Sequence, residues 1–392
     1  MDIDIIDYDT CSAAGVNLLE LRQALKDYKS GLVKNDLKGS NIDTWLGKVQ
    51  AIDDVSDLKQ WQSRNNALAA LGLEQGSLKT TLDGVTKEFG SSRIGIVMGS
   101  STSSIDRTET AYTDLDESGA LKPTYQQTLV HNPHAPSLFV AHYTGIKGPA
   151  ITINTACSSS AKVFATGARW LEMGVVDAVL VGGVDTLCLS VVHGFNSLQL
   201  LSANPCKPFD HNRDGINLGE ASGFAILQRA SESDKAAGIR LSGYGESSDA
   251  YHMSHPHPEG LGARLSMTQA LKRADLAPDA IDYINLHGTS SRANDLIEGQ
   301  LISDLFPKTT VCSSTKAWMG HTLGAAGITE AIITMDTLNT DFIPGSMNLE
   351  SLDKALDFTI AAKNQSKACT HVMTNSFGFG GNNCSLVFSK AH

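Results

Sequence analysis

A chain of 392 residues, 41 % of them apolar and 19 % charged, is long enough to bury a large core as two domains or one layered body. Its formal net charge of −11 weighs against a nucleic-acid partner, which needs a basic face, and no apolar run reaches the roughly 20 residues of a membrane span. Seven cysteines, an odd number without metal-ligand or disulfide spacing, fit reduced thiols and a cytoplasmic location.

The acidic, alternating start Met1-Asp2-Ile3-Asp4-Ile5-Ile6-Asp7-Tyr8 reads as a first strand and not as a basic secretory leader. Gly95 to Gly99 is a second short apolar run, and Pro149 to Asn154, rich in β-branched residues, a third. Cys157 follows in Thr155-Ala156-Cys157-Ser158-Ser159-Ser160, and Ala161 to Met173 continues with helical spacing of small and apolar residues. A strand, Ala178 to Gly183, comes next. The polar stretch Arg229 to Lys235 marks a division into an N-terminal half, 1–235, and a C-terminal half, 236–392. The second half repeats the theme, with helical patterns at Ala263 to Ala274 and Ile328 to Leu338 and short strands at Tyr283 to Gly288 and His371 to Asn375. Alternating strands and helices predict an α/β fold of mixed or parallel sheets covered by helices, whose chemistry gathers at strand C-termini. Cys157, His287 and Asn375 are all expected just past strand ends.

A cysteine at a strand-to-helix turn lies near the positive end of the helix dipole and near free backbone N–H groups, both of which favour the thiolate. The hexapeptide alone leaves open a buried structural cysteine and a nucleophile. His287, in Leu286-His287-Gly288-Thr289-Ser290, and His321, in Met319-Gly320-His321-Thr322, each follow or precede a glycine that permits close approach of a ligand. Two such histidines with an elbow cysteine favour chemistry. The segment Asn375-Ser376-Phe377-Gly378-Phe379-Gly380-Gly381-Asn382-Asn383 reads both as a tight turn before a last strand, Ser385 to Phe388, and as a mobile apolar gate offering N–H groups to an oxyanion. The cluster His252, His255 and His257 is read as a proline-stiffened loop near a site entrance, not as a metal centre, since it lacks a cysteine or carboxylate at a usual ligand interval.

Taken together, these motifs resemble the β-ketoacyl-acyl carrier protein synthases, condensing enzymes of the thiolase fold. The likeness runs almost the full chain: the Cys157 hexapeptide, Lys207-Pro208-Phe209-Asp210, Arg213-Asp214-Gly215, Leu218-Gly219-Glu220, Ser248 to Met253, His287-Gly288-Thr289, Lys316 with His321, and Asn375 to Gly381. The resemblance implies a duplicated five-layer αβαβα sandwich. It implies that Cys157 takes an acyl chain as a thioester. His287 and His321 stabilise the enolate formed when malonyl-carrier protein loses CO₂, and the N–H groups of Cys157 and Phe379 hold the oxyanion of the attack that follows. Lys316 and Glu298 then support the histidines, Thr289 and Ser291 line the pantetheine tunnel, and Phe377 and Phe379 form the gate. No metal or bound cofactor is implied; the substrates ride on the phosphopantetheine arm of acyl carrier protein.

The chain departs from the pattern at Ser290-Ser291-Arg292-Ala293-Asn294-Asp295 and at Asn382-Asn383. These features, with Ser63-Arg64-Asn65-Asn66 and Gly99 to Ser104, are similar to the ketosynthases of bacterial aryl polyene clusters, which pair with a chain-length-factor subunit lacking the cysteine. The alternatives are a primary fatty-acid elongation enzyme, the cysteine-less partner itself, or a thiolase. The last two are disfavoured by Cys157 and by the two-histidine pattern. The expected partners are acyl carrier protein and either a second copy or a chain-length factor, with no nucleic acid and no membrane. Ala178 to Gly183 and Gly99 to Asp106 are the candidate interface and acyl-pocket elements, and Arg64, Lys207 and Arg292 the candidate carrier-protein contacts.

Overall fold

A computed structural model describes residues 3–50, 52, 56–230 and 238–391. The expected division between residues 235 and 236 lies outside the described residues. Each half contributes five strands to the main sheet. In the first half they are Ile3–Ser12, Ile94–Gly99, Ala150–Ile153, Ala178–Asp185 and Ala221–Arg229. In the second they are Ile239–Ser248, Tyr283–Asn285, Val311–Ser313, His371–Gly378 and Asn382–Lys390. Both sets hydrogen-bond in the same spatial order, third, second, fourth, fifth, first. In both, the second strand runs parallel to the third and fourth, and the fifth runs antiparallel to the fourth and first. The fold is therefore an internal duplication. The two first strands pair antiparallel over Ile3–Ile5 and Ile239–Leu241, which joins the halves into one continuous sheet of ten strands.

Alternation of side chains along the strands builds the layers. Ile94, Ile96, Met98 and Leu180 face an outer layer of helices, Arg64–Leu73, Leu78–Phe89 and Ala135–Thr144. Val97, Val179 and Val181 face inward onto two central helices, Ser159–Glu172 and Ala326–Thr340. Those helices also meet Val372, Leu386 and Phe388 of the second half. Leu261–Ala274 and Arg292–Leu305 cover its other face through Met267, Leu271, Leu301 and Ile302. The result is the five-layer αβαβα sandwich of the thiolase fold. The helix Ala326–Thr340 is buried on all sides from Ala326 to Leu338, its polar Thr329, Glu330, Thr334, Asp336 and Thr337 included. Among the described residues no helix is long and apolar enough to cross a membrane.

Two expectations change here. Ala178–Asp185 is wholly buried between two neighbouring strands, so it is no interface element; a continuous apolar run marks a central strand covered on both faces. The edge of that sheet is Ala150–Ile153, all four residues of which are half-buried. Asn375 lies inside the strand His371–Gly378, not past its end.

Candidate active site

The Cys157 elbow forms where Ala150–Ile153 gives way to the helix Ser159–Glu172. Ala156 takes a left-handed φ of 52°, which turns the chain sharply and presents Cys157 at the helix start. The Ser159 hydroxyl ties the turn by donating to the Ala156 carbonyl at 2.6 Å, while its oxygen accepts the Thr155 N–H at 2.9 Å. Gly378 packs directly on this elbow: a Cβ there would stand 2.9 Å from the Thr155 carbonyl oxygen and 3.1 Å from the Cys157 nitrogen. Only a glycine lets the second half lay its backbone on the Cys157 turn.

Cys157, His287 and His321 come from three separate segments and are all buried, 5 %, 2 % and 2 % exposed. The Cys157 sulfur and one ring nitrogen from each histidine lie within 4.8 Å of one another. The two imidazoles meet edge to face, with centroids 5.3 Å apart. His287 is held by its backbone: its N–H donates to Glu298 Oε1 and the Gly288 N–H to Glu298 Oε2, each at 2.8 Å. Lys316, 2 % exposed, donates to the His287 carbonyl and to Glu330, and its Nζ lies 3.4 Å from His287 Nδ1. Three ammonium hydrogens thus meet three acceptors. His321 is fixed by its own turn, with Nδ1 accepting the Leu323 N–H at 3.3 Å.

These contacts set the tautomers. With Nδ1 of both rings accepting, the proton of each neutral imidazole sits on Nε2. Burial first, then Lys316, holds both histidines well below the ordinary 6.5, so they are neutral near pH 7. A metal-bound histidine has the opposite pattern: it donates from its second nitrogen while the first gives its lone pair to the ion. The Cys157–His287–His321 set therefore fits two N–H donors beside a sulfur and does not fit a metal site. Among the described residues, His252, His255 and His257 do not bring three ligand atoms together. His252 and His255 are exposed, their Nδ1 atoms 3.2 Å apart with Ser254 between them.

The thiolate expectation is corrected. Complete burial pushes the Cys157 thiol up to about 11, although the Phe379 N–H and Lys316 pull it down. The resting sulfur is a thiol. Inactivation by iodoacetamide is expected to accelerate about tenfold per pH unit from 7 to 9, following the thiolate fraction. A rate already level by pH 8 would contradict this assignment.

Glu298 is also shifted, its carboxyl pushed up to about 7 by burial against two backbone N–H bonds. Asn375, expected at the site, stands behind it, with its amide 3.4 Å from Glu298 Oε1. A cavity of about 340 Å³ leads from Cys157 and both histidines to the surface past Thr289, Ser291, Phe377, Phe379 and Arg292. Thr289 and Ser291 share a 3.0 Å hydroxyl contact on its wall. Phe377 lies edge-on to His287 at 6.0 Å, and Phe379 stacks on Phe195 at 5.3 Å. The glycine-rich segment is both turn and wall, because Phe379–Gly381 is the short connection between the last two strands. Ser254, His255 and Pro256 border the mouth, as the loop reading required.

Of the three basic candidates only Arg292 is exposed and borders the cavity. Arg64 is instead spent on buried Glu220 and on the Val49 carbonyl, and Lys207 is half-buried beside Ser290. Sequence reasoning missed two contributors. Glu330 had a signal, as one of two carboxylates, with Asp336, in the helix Ala326–Thr340. Phe195 had none beyond being aromatic.

Residues 17–233 match the model of the β-ketoacyl synthase N-terminal domain, and residues 239–350 match that of the C-terminal domain. The chain belongs to the β-ketoacyl synthase family. The 3-oxoacyl-[acyl-carrier-protein] synthase 2 of Vibrio harveyi is 32 % identical to this synthase over 390 residues, 94 % of this chain and 93 % of that one. Among solved structures, the ketosynthase ApeO in complex with its chain length factor ApeC, from Xenorhabdus doucetiae, is 38 % identical. It superposes with a TM-score of 0.89 over 100 % of this chain and 98 % of that one. A β-ketoacyl synthase from Burkholderia phymatum is 25 % identical, with a TM-score of 0.90 over the full length of both.

Proposed function

We propose that this synthase is an acyltransferase that condenses an acyl chain held on Cys157 with malonyl-acyl carrier protein. The observation that carries the reading is the convergence of one buried sulfur and two neutral Nε2–H donors at the end of a cavity lined by Thr289 and Ser291. The acyl transfer is a thioester exchange: the Cys157 S–H becomes S–C, and the pantetheine S–C becomes S–H. A neutral thiol serves, because its proton can pass to the leaving sulfur. Malonyl-carrier protein then binds with its thioester carbonyl facing His287 and His321. Loss of CO₂ leaves an electron pair as an enolate, and the charge grows on the oxygen that the two donors hold. The enolate carbon attacks the Cys157 thioester, with the N–H groups of Cys157 and Phe379 receiving the oxyanion; the cysteine sulfur leaves as thiolate and takes one proton from water to restore the thiol. Decarboxylation drives the bond formation, so the chemistry calls for no metal or bound cofactor. Lys316, Glu330 and Glu298 act through the histidines as positioning residues, and Phe377 and Phe379 gate the cavity. The two halves, 1–235 and 236–392, supply the sulfur and the histidines respectively.

The pathway we propose is aryl polyene synthesis in the cytoplasm, with a chain-length factor as the second subunit. The similarity to ApeO supports it, as do seven free thiols. The edge strand Ala150–Ile153 supports a second subunit. Among the described residues it pairs only with Ile94–Gly99, so its outer side can accept a strand from another chain. Arg292 at the mouth supplies a positive contact for carrier protein or the pantetheine phosphate. Incubation with malonyl-carrier protein and two primers, one saturated and one a conjugated aryl-enoyl, tests the pathway by mass analysis of carrier-bound products. We expect elongation of the conjugated primer, and only with a chain-length factor present. Elongation of the saturated primer by the chain alone would assign it to fatty-acid synthesis.

A further inference from the structure

Asp185 ends the central strand of the first half, is fully buried, and touches neither Cys157 nor the histidines through any hydrogen bond described above. Five donors nevertheless converge on its carboxylate. They are the hydroxyls of Ser100 at 2.7 Å and Thr102 at 2.6 Å, and the backbone N–H groups of Ser101 at 2.9 Å, Thr102 at 2.9 Å and Gly324 at 2.5 Å. Backbone N–H groups can only donate, so three of the five require an acceptor at this place.

The donors come from two sides of the active site. Gly324 belongs to the turn after His321, in which Leu323 holds a left-handed φ of 57° that a residue with a side chain adopts only under constraint. In that conformation the Leu323 N–H reaches His321 Nδ1 and keeps the ring proton on Nε2. Close approach is built in, because a Cβ on Gly324 would stand 2.6 Å from Asp185 Oδ2 and 2.6 Å from the Ser101 nitrogen. On the other side, the Ser101 hydroxyl lies 3.4 Å from the carbonyl of Ala156, the strained residue before Cys157. One carboxylate thus holds both the turn that sets the His321 tautomer and the loop that backs the nucleophile elbow.

We propose that Asp185 is a positioning residue, which fixes the His321 turn against the Cys157 elbow and so keeps the His321 Nε2–H aimed at the reacting carbonyl. The inference rests on the reading of His321 as a donor in decarboxylation. Asp185→Asn replaces one carboxylate oxygen by a donor facing other donors. Gly324→Ala disturbs the same link from the His321 side, and its Cβ also presses on the Ser101 nitrogen.

The test uses the full-length protein labelled with ¹⁵N-histidine, the His321 signal being identified by its loss in His321→Ala. Wild-type His321 is expected as the Nε2–H tautomer, and both variants are expected to show a mixture while His287 keeps its signal. Release of labelled CO₂ from malonyl-carrier protein should fall about 100-fold in each, the loss typical of a misplacement of about 1 Å. Iodoacetamide should alkylate Cys157 at a changed rate in both variants, since each disturbs the Ser101 loop behind the elbow. A purely architectural role would leave the tautomer alone. Should Asp185→Asn fail to fold, Gly324→Ala carries the test. Wild-type CO₂ release and an unchanged tautomer in the variants, with His321→Ala inactive, would overturn the role of Asp185 and leave the donor reading standing. Wild-type CO₂ release by His321→Ala would remove the donor reading itself, and the role of Asp185 with it.

Discussion

Cys157→Ala is expected to abolish acyl transfer from carrier protein while malonyl-carrier protein still loses CO₂. The two half-reactions use different groups. Transfer needs the sulfur as the atom that forms the thioester, and no neighbour can replace it: the other six cysteines are buried in the core, and the site cluster holds only this one. Decarboxylation needs an electron sink, which His287 and His321 provide from segments that do not depend on the Cys157 side chain. A methyl in place of the thiol leaves the Gly378 contact and the Ser159 ties of the elbow intact. Radiolabelled acyl-carrier protein followed by gel filtration measures the first reaction, and trapped CO₂ the second. Elongation by this variant at the wild-type rate would rule out Cys157 as the acyl acceptor.

His287→Ala and His321→Ala are each expected to slow decarboxylation by about 10²–10³-fold, the usual cost of removing one donor from a developing oxyanion, or about 2.7–4 kcal/mol. Acylation of Cys157 should survive better in both. The double variant should lose less than the product of the single losses, since both donors serve one oxygen. The pH profile follows from the same burial. Both imidazoles are held well below 6.5, so they stay neutral, with their Nε2–H donors unchanged, from pH 8 down to pH 6. CO₂ release should therefore show no histidine-dependent fall across that interval. A fall by half near pH 6.5 would mean that one ring titrates as though exposed.

The duplication was legible because it is local chemistry repeated. Short β-branched runs such as Pro149 to Asn154 and helical spacing such as Ala263 to Ala274 survive as elements, displaced by a residue or two. The grouping of Cys157, His287 and His321 was legible because each sits beside glycine or a sharp turn. What failed did so for reasons of packing. The His371–Gly378 strand was ended too early at Asn375, since buried polar residues in a central strand look like a loop until their partners, here Glu298 and Ser385, are known. Ala178–Asp185 looked available because its apolar run does not say what covers it. The thiolate expectation weighed the helix start and had no measure of burial. Glu330 and Asp185 act through partners 14 and 139 residues away, Lys316 and Gly324, and no spacing rule links them.

The most direct test is to load the protein with acyl-carrier protein, locate the acyl group by peptide mass mapping, and then chase with malonyl-carrier protein. The acyl group is expected on the peptide containing Cys157, and the chase should discharge it as β-ketoacyl-carrier protein with one CO₂ per acyl group. An acyl group on any other residue, or discharge to the free acid without a new carbon–carbon bond, would contradict the account.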